Sequence, residues 1–107
     1  MEITPRLNVP YLTANQAQKH VTLNEALRDL DVYVQATALS RARTAPPPDS
    51  APGDAYILSD QGEGAWSGFE EGQLVANQDG AWREMQMPDG MRVYVDDENT
   101  LLVRKGG

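Results

Sequence analysis

The side chains that could carry out chemistry are few and widely spaced in this chain of 107 residues. His20 is the only histidine, and there is no cysteine. A catalytic triad or a zinc site needs several convergent partners or ligands, so neither is expected. We interpret His20 as a polar contact near the start of a helix. We expect no catalytic residue, no metal and no other cofactor.

A run of oxygen-bearing side chains lies near the carboxyl end, in Asp96-Asp97-Glu98-Asn99. Clustered oxygens of this kind could bind calcium, but the run lacks the spaced ligand pattern of a calcium loop. Acidic residues and asparagine are also ordinary in a tight turn. We therefore interpret this run as a turn between two strands.

The aromatic side chains offer a different chemistry, which is stacking on sugar rings. Trp66 and Trp82 are the candidate sugar-stacking residues, with Tyr56 and Tyr94 nearby in the same half of the chain. The alternative, which we favour, is that these rings form the core, because the chain has one phenylalanine. Trp66 is expected to be the most exposed of them, since glycines flank it at 64 and 68.

Composition excludes several classes of partner. The chain has 16 acidic and 9 basic residues, which gives a net charge of −7. Nucleic acids and anionic membrane surfaces both require a basic footprint, so neither is an expected partner. No apolar run approaches the ~20 residues that span a bilayer. The length predicts one small domain, without a secretion signal.

The amino-terminal stretch reads as an extended arm. Pro5 and Pro10 push the residues before them toward extended geometry. Leu7, Val9 and Tyr11 alternate along this stretch and would present apolar side chains on one side. Such an arm needs a groove, which is either on its own domain or on a neighbouring subunit.

One amphipathic helix follows, with a predicted start between residues 14 and 23 and an end near Ser40. Thr22 and Glu25 fit a capping box, which is one possible start. Leu23 opens a series spaced at alternating intervals of four and three, the spacing of a coiled-coil seam. That series is Leu23, Leu27, Leu30, Val34 and Thr37, and a second apolar line is formed by Val32, Ala36 and Leu39.

Two apolar lines suggest two packing partners, a sheet on one side and a sister helix on the other. The simpler alternative is one wide stripe that packs on the chain's own sheet. Two heptads are too short to hold a coiled coil alone, so an oligomer must also use other contacts. The candidate interface residues are Leu7, Val9, Tyr11, Leu23, Leu27, Leu30 and Val34.

The remainder of the chain predicts β-structure. A proline-rich connector over residues 45–52 separates the arm and helix, 1–44, from the segment 53–107. That segment predicts a small antiparallel meander or barrel of about five short strands, at 55–59, 73–77, 81–87, 91–95 and 100–104, joined by glycine turns. The predicted fold class is therefore α+β, with an extended arm and one amphipathic helix ahead of the strands.

Several motifs closely resemble the family called domain of unknown function 2793. In the first half these are Thr4-Pro5-Arg6-Leu7, Pro10-Tyr11-Leu12, the block Gln16-Ala17-Gln18-Lys19-His20-Val21-Thr22, and Asn24-Glu25-Ala26-Leu27. In the second half they are Gly53-Asp54-Ala55-Tyr56-Ile57, Gly64-Ala65-Trp66, Asp79-Gly80-Ala81-Trp82 and Val93-Tyr94-Val95. The resemblance covers about residues 4 to 104. The family typically has Gly and Leu at the positions of Asn8 and Val9.

The resemblance implies a virion structural protein of a tailed phage or a gene transfer agent. We expect a base or adaptor of a head spike or tail fibre, made in the bacterial cytoplasm and serving host attachment. Its expected partners are further copies of itself, as a trimer or pentamer, and other virion proteins such as capsid and fibre. The alternative is a carbohydrate-binding module that contacts host polysaccharide. No enzymatic activity is implied.

Overall fold

The computed structural model describes residues 3–11, 19–78 and 80–105, with the backbone alone for 19–23. One helix, α1 (Lys19–Tyr33), precedes the strands β1 (Thr37–Ala38), β2 (Ala55–Ile57), β3 (Leu74–Gln78), β4 (Ala81–Met85), β5 (Arg92–Val95) and β6 (Thr100–Val103). Short 3₁₀ turns occupy Gly64–Trp66 and Asp96–Glu98. The predicted α+β class is confirmed.

The five predicted strands are all present as β2 to β6, but they do not form one meander. β2, β3 and β4 form an antiparallel sheet, and β5 and β6 form an antiparallel pair in a second sheet. The turn between β3 and β4 contains Gly80 with φ of 85°, a backbone conformation that favours glycine. Its amide donates to the Asn77 side chain, with 3.0 Å between the two atoms.

The sixth strand, β1, was not predicted, and it lies between the two sheets. On one side it pairs in parallel with β5, and the amide of Tyr94 donates to the carbonyl of Ala36 at 2.9 Å. On the other side the amide of Leu39 donates to Ala55 at 2.8 Å, and the amide of Ile57 donates to Ser40 at 3.1 Å. The short segment 36–40 therefore joins the predicted amino-terminal segment to both sheets.

The predicted helix end near Ser40 is wrong, because α1 ends at Tyr33. Gln35 adopts a left-handed conformation with φ of 48°, which breaks the helical path. Thr37, placed in the predicted seam, instead lies in β1. The start at Lys19 falls within the predicted range, and the capping-box position at Thr22 lies inside the helix rather than at its start.

The two faces of the β2–β3–β4 sheet cover different cores, because side chains alternate along each strand. Toward the helix, the core consists mainly of small and aliphatic residues, namely Val32, Ala36, Ala38, Ala55, Leu74, Ala76, Met85, Met87 and Val93. On the opposite face, Tyr56, Leu58, Trp66 and Val75 form a second core, with Leu39, Phe69 and Trp82 packed against it.

Candidate functional site

The amino-terminal arm lies on the chain's own helix. It turns at residues 5–7 and runs back, so that Ile3 and Pro10 form an antiparallel bridge, whereas the sequence predicted an extended arm. Thr4 is fully buried at the base of this turn, and its hydroxyl accepts a hydrogen bond from the amide of Val9 at 3.0 Å. Asn8 supplies the reversal with φ of 59°. We call residues 3–11 the N-terminal loop.

A buried carboxylate fastens this loop to α1. Asp31 is 1% exposed, and its two carboxylate oxygens accept hydrogen bonds from the amides of Arg6 at 3.0 Å and Leu7 at 2.8 Å. Hydrogen bonds to an ionised acceptor are stronger than those between neutral groups. A charge this deeply buried would be costly without such partners, so the contact fixes where the loop lies.

The side chain of Arg6 completes the contact from the other direction. Its guanidinium donates to backbone carbonyls around the end of the helix, which are those of Asp31, Val32 at 3.1 Å, Val34 at 3.1 Å and Gln35 at 2.7 Å. The last carbonyls of a helix have no partner within it and carry partial negative charge. Arg6 therefore supplies both the missing donors and the favourable charge.

Polar groups also hold the inner side of α1 to the β2–β3–β4 sheet. Asp29 accepts from Arg83 of β4 at 2.9 Å and from Gln78 of β3 at 3.3 Å. The hydroxyl of Tyr33 donates to the carbonyl of Gln86 at 2.8 Å. Burial, and then the negative charge of Asp29, raise the pKa of Tyr33, and Arg83 partly opposes this.

The outer side of α1 carries apolar side chains that nothing in the described chain covers fully. Leu30 is 53% exposed and Val34 is 45% exposed. The amide of Val34 donates to the carbonyl of Leu30, so the two lie one turn apart on the same side. Leu27 is half-buried, and Leu7 of the N-terminal loop is 38% exposed. We call these four residues the outer helix surface.

The other predicted interface residues are placed differently. Val9 and Tyr11 are half-buried in the N-terminal loop. The guanidinium of Arg28 lies 5.5 Å from the centre of the Tyr11 ring, a cation–π contact within the chain. The side chain of Leu23 lies outside the described residues. The second apolar line faces inward, since Val32 and Ala36 are buried in the core.

The candidate sugar-stacking residues form a packed ring cluster with Tyr56. Trp66 and Trp82 meet edge-to-face at 5.2 Å between ring centres, and Tyr56 lies 5.4 Å from Trp66 and 6.0 Å from Trp82. The prediction that Trp66 is the most exposed aromatic is wrong, because it is fully buried. Its flanking glycines permit a tight turn that folds the indole inward. Burial also raises the pKa of Tyr56.

The glycine at 62 shows how closely the loop wraps this tryptophan. A methyl group added at Gly62 would lie 2.1 Å from the carbonyl oxygen of Trp66, which is backbone and cannot move aside easily. Trp82 is half-buried and is the one member of the pair with accessible ring surface. Stacking on a sugar would therefore involve Trp82 rather than Trp66.

No group of three or more acidic, histidine or cysteine side chains that could hold a metal ion occurs among residues 3–11, 19–78 and 80–105. The side chain of His20 lies outside the described residues. The acidic run at 96–99 forms a 3₁₀ turn, and Glu98 pairs with Arg41 at 2.7 Å. No helix in the described part of the chain is long and apolar enough to cross a membrane.

A comparison with known protein families identifies the family of the chain. A family described as "protein of unknown function (DUF2793)" matches residues 23–107, which is well over half of the sequence. The chain belongs to the DUF2793 family. The match begins within α1 and includes both sheets, so the block at 16–22 and the N-terminal loop precede the matched residues. No curated protein matches the chain.

Sequence reasoning missed the two residues that fix the helix of this DUF2793 protein in place. Asp31 and Arg6 lie far apart in sequence, and each resembles an ordinary surface charge. The available signal was the position of Asp31 one helical turn after Leu27, on the side of the helix that carries the apolar seam. A carboxylate there predicts a buried polar contact rather than a solvent-facing one.

Proposed function

We propose that this domain is a structural component of a phage-like particle, a phage or a gene transfer agent. It acts there as the base or adaptor of a head spike or tail fibre through homo-oligomer assembly. DUF2793 membership supports the proposal, together with what the family resemblance implies, namely a part of a phage or gene-transfer-agent spike or fibre. The single structural observation that supports it most is the outer helix surface, which the described residues leave partly exposed.

The outer helix surface has the spacing of a helix-helix contact. Leu27, Leu30 and Val34 follow the alternating intervals of a coiled-coil seam. Helices in a monomer normally turn such a stripe toward their own core. Here α1 contributes Val32 to the core instead, and Leu30 and Val34 stay about half exposed, which supports a contact of the seam with a neighbour.

The N-terminal loop supplies the additional contact that so short a seam needs. Leu7 is held beside the helix by the bond from its amide to Asp31, and its side chain is partly exposed. A sister helix that packs on Leu30 and Val34 would therefore meet a rigid loop as well. The proposed assembly is a trimer or a pentamer, two closed arrangements open to identical subunits.

On this proposal the partners are further copies of the chain and other virion proteins, such as capsid and fibre. The protein is made in the bacterial cytoplasm and resides in the particle, where it contributes to host attachment without enzymatic activity. The net charge of −7 supports an assembly role without direct contact to nucleic acid.

The test is the solution mass, measured by light scattering behind a sizing column at several concentrations. The proposal predicts a trimer or pentamer for the natural chain and the loss of that trimer or pentamer in Leu30→Lys, because a charge would lie within the seam. Ala51→Lys, at an exposed site outside the helix, is the matched control and leaves the mass unchanged. A natural chain that stays monomeric at high micromolar concentration overturns the proposal.

The carbohydrate-binding alternative has a separate measurement, which is tryptophan fluorescence during titration with host capsular polysaccharide. Trp66 is buried, so a response would come through Trp82. A flat titration agrees with the assembly role. Saturable quenching that Trp82→Phe abolishes would favour sugar binding instead.

A further inference from the structure

We propose that β6 is a second self-association site, where it pairs antiparallel with β6 of another copy of the chain. The two copies would then share one continuous sheet. This contact goes beyond the proposed helix seam, because it uses a different element and different residues. It does not depend on the seam being correct.

β6 is an edge strand in the described structure. The strand order is β1–β5–β6, so β6 has a neighbouring strand on one side. Leu102 and Thr100 pair with Val93 and Val95 of β5, and the amide of Arg104 donates to Met91 at 2.9 Å.

Successive residues of a strand point their backbone N–H and C=O groups to opposite sides. The β6 residues that do not bond to β5 therefore point these groups away from it. On the β5 side of the ladder, the amide of Tyr94 points away from β6, to Ala36 of the β1 segment. By the same alternation, Leu101 and Val103 direct their N–H and C=O groups away from β5. No described residue pairs with these groups, so they form an edge suited to another strand.

The side chains of the same two residues are also exposed. Leu101 is 58% exposed and Val103 is 59% exposed, the highest values among the large apolar residues described. They lie on one face of the sheet, because they are two positions apart. Pairing of two copies around a two-fold axis at Leu101 would place the Leu101 side chain of each copy against that of the other and remove both from water.

The opposite edge of the protein shows that β6 lacks the usual protection. β4 is the other outer strand and carries Arg83 and Glu84, charges that discourage another strand from pairing there. β6 has the sequence Thr-Leu-Leu-Val and no charge. An edge that is both apolar and uncharged is a template for strand addition.

The charges that flank β6 indicate a second copy as its partner and an antiparallel direction. Asp96, Asp97 and Glu98 precede the strand, and Arg104 and Lys105 follow it. In an antiparallel pair, the acidic end of each copy lies beside the basic end of the other. A parallel pair would place like charges together, which is unfavourable.

Two of these residues are available to make the contact. Glu98 is already paired with Arg41, and the guanidinium of Arg104 donates to the carbonyl of Gly72. Asp97 and Lys105 are exposed. Asp97 lies in the 3₁₀ turn that leads into β6, and Lys105 lies just beyond the other end of the strand. Antiparallel pairing around a two-fold axis at Leu101 therefore brings the acidic turn of each copy toward Lys105 of the other.

The experiment uses the full chain with Leu30→Lys, so that the helix seam does not contribute to the measured mass. Sedimentation velocity over a range of concentrations should show a weak monomer–dimer equilibrium, since the strand is short. Lys105→Glu should raise the dimer dissociation constant roughly tenfold, because two attractive charge pairs become repulsive. Asp97→Lys should do the same. The double variant Asp97→Lys with Lys105→Glu should restore dimerisation.

Arg43→Glu is the matched control, since it makes the same change of charge at an exposed site away from β6. It should leave the dimer unchanged. Leu101→Pro removes an outward-facing donor, so it should abolish the dimer while the circular dichroism spectrum stays that of the folded chain. Hydrogen exchange should show amide protection at Leu101 and Val103 that rises with protein concentration.

A Leu30→Lys chain that stays monomeric at millimolar concentration overturns the strand-pairing proposal. So does a double charge variant that fails to recover. These outcomes are distinguishable from failure of the proposed function. The helix seam is tested by comparing the mass of the natural chain with that of Leu30→Lys. Pairing of β6 is tested by the dimer dissociation constants of the charge variants at 97 and 105.

Discussion

An ordinary surface helix buries its apolar side chains and exposes its polar ones. In α1 a polar side chain is buried and two apolar ones are exposed. Asp31 is 1% exposed, whereas its sequence neighbour Leu30 is 53% exposed. The inner side is held by a carboxylate, an arginine and a tyrosine hydroxyl as well as by Val32. The outer side presents leucine and valine to solvent.

The contrast separates two tasks within one short helix. Directional hydrogen bonds fix the helix and the N-terminal loop in one position, because each donor and acceptor has a required geometry. Apolar contacts are less directional and are left on the outside, where a partner could bury them. The inner side accounts for the position of the helix, and the outer side is the surface that the proposed oligomer uses.

The largest expected effect comes from Asp31→Ala on the inner side. The substitution leaves the amides of Arg6 and Leu7 without acceptors, so unfolding should become easier by roughly 3 kcal/mol. Urea denaturation measures this as a lower midpoint. Asp31→Asn keeps an acceptor but no charge and should give an intermediate value. An unchanged midpoint would show that the N-terminal loop is not docked in solution.

Val32→Ala should have the next largest effect. Val32 is 3% exposed in the core between helix and sheet, so removing its methyl groups leaves a cavity that costs about 2 kcal/mol. Thermal unfolding followed by circular dichroism provides the measurement. If Val32→Ala destabilised the protein less than a substitution on the outer side does, Val32 would not lie in the core.

Tyr33→Phe should cost about 1 kcal/mol near neutral pH, because the bond to the carbonyl of Gln86 is lost. The pKa of Tyr33 is raised in the folded protein, mainly by burial. Its protonated form therefore stabilises the fold below the unfolded pKa near 10, and this is lost as the pH rises through the folded pKa.

Urea midpoints of the natural chain and Tyr33→Phe, compared at pH 8 and above pH 10, test this expectation. The advantage of the natural chain should shrink at the higher pH. A difference that grows with pH would mean that the phenolate is stabilised in the folded state, which contradicts the direction of the shift.

The smallest effect on stability is expected on the outer side. Leu30→Ala removes a side chain that is about half exposed, so the free energy of unfolding of the monomer should change by no more than about 0.5 kcal/mol. The measurement is urea denaturation at low protein concentration. A loss as large as that of Val32→Ala would show that Leu30 is covered within its own chain.

Much of the fold follows from local patterns in the sequence. Alternating apolar residues and turn residues such as Gly80 predict the five strands, because these signals act over a few neighbouring residues. The seam was also visible, since Leu27, Leu30 and Val34 recur at helical spacing. Periodicity alone does not say which of two apolar lines faces inward, so the side facing solvent had to come from the structure.

The missed features all depend on contacts between distant residues. Nothing local marks Gln35 as a helix stop, because it is not a glycine, and Arg6 stabilises the carbonyls around it from the other end of the segment. β1 is two residues long and is specified by its partners on both sides. Trp66 is buried by a loop whose glycines suggested exposure.

The central position of β1 has a consequence for the order in which the protein is made. Thr37 is synthesised well before its partner Tyr94, which lies much further along the chain. Native pairing between them has to wait until Tyr94 has been synthesised, and closing so long a loop slows folding. The β1–β5–β6 sheet is therefore completed only after the β2–β3–β4 sheet has all of its strands.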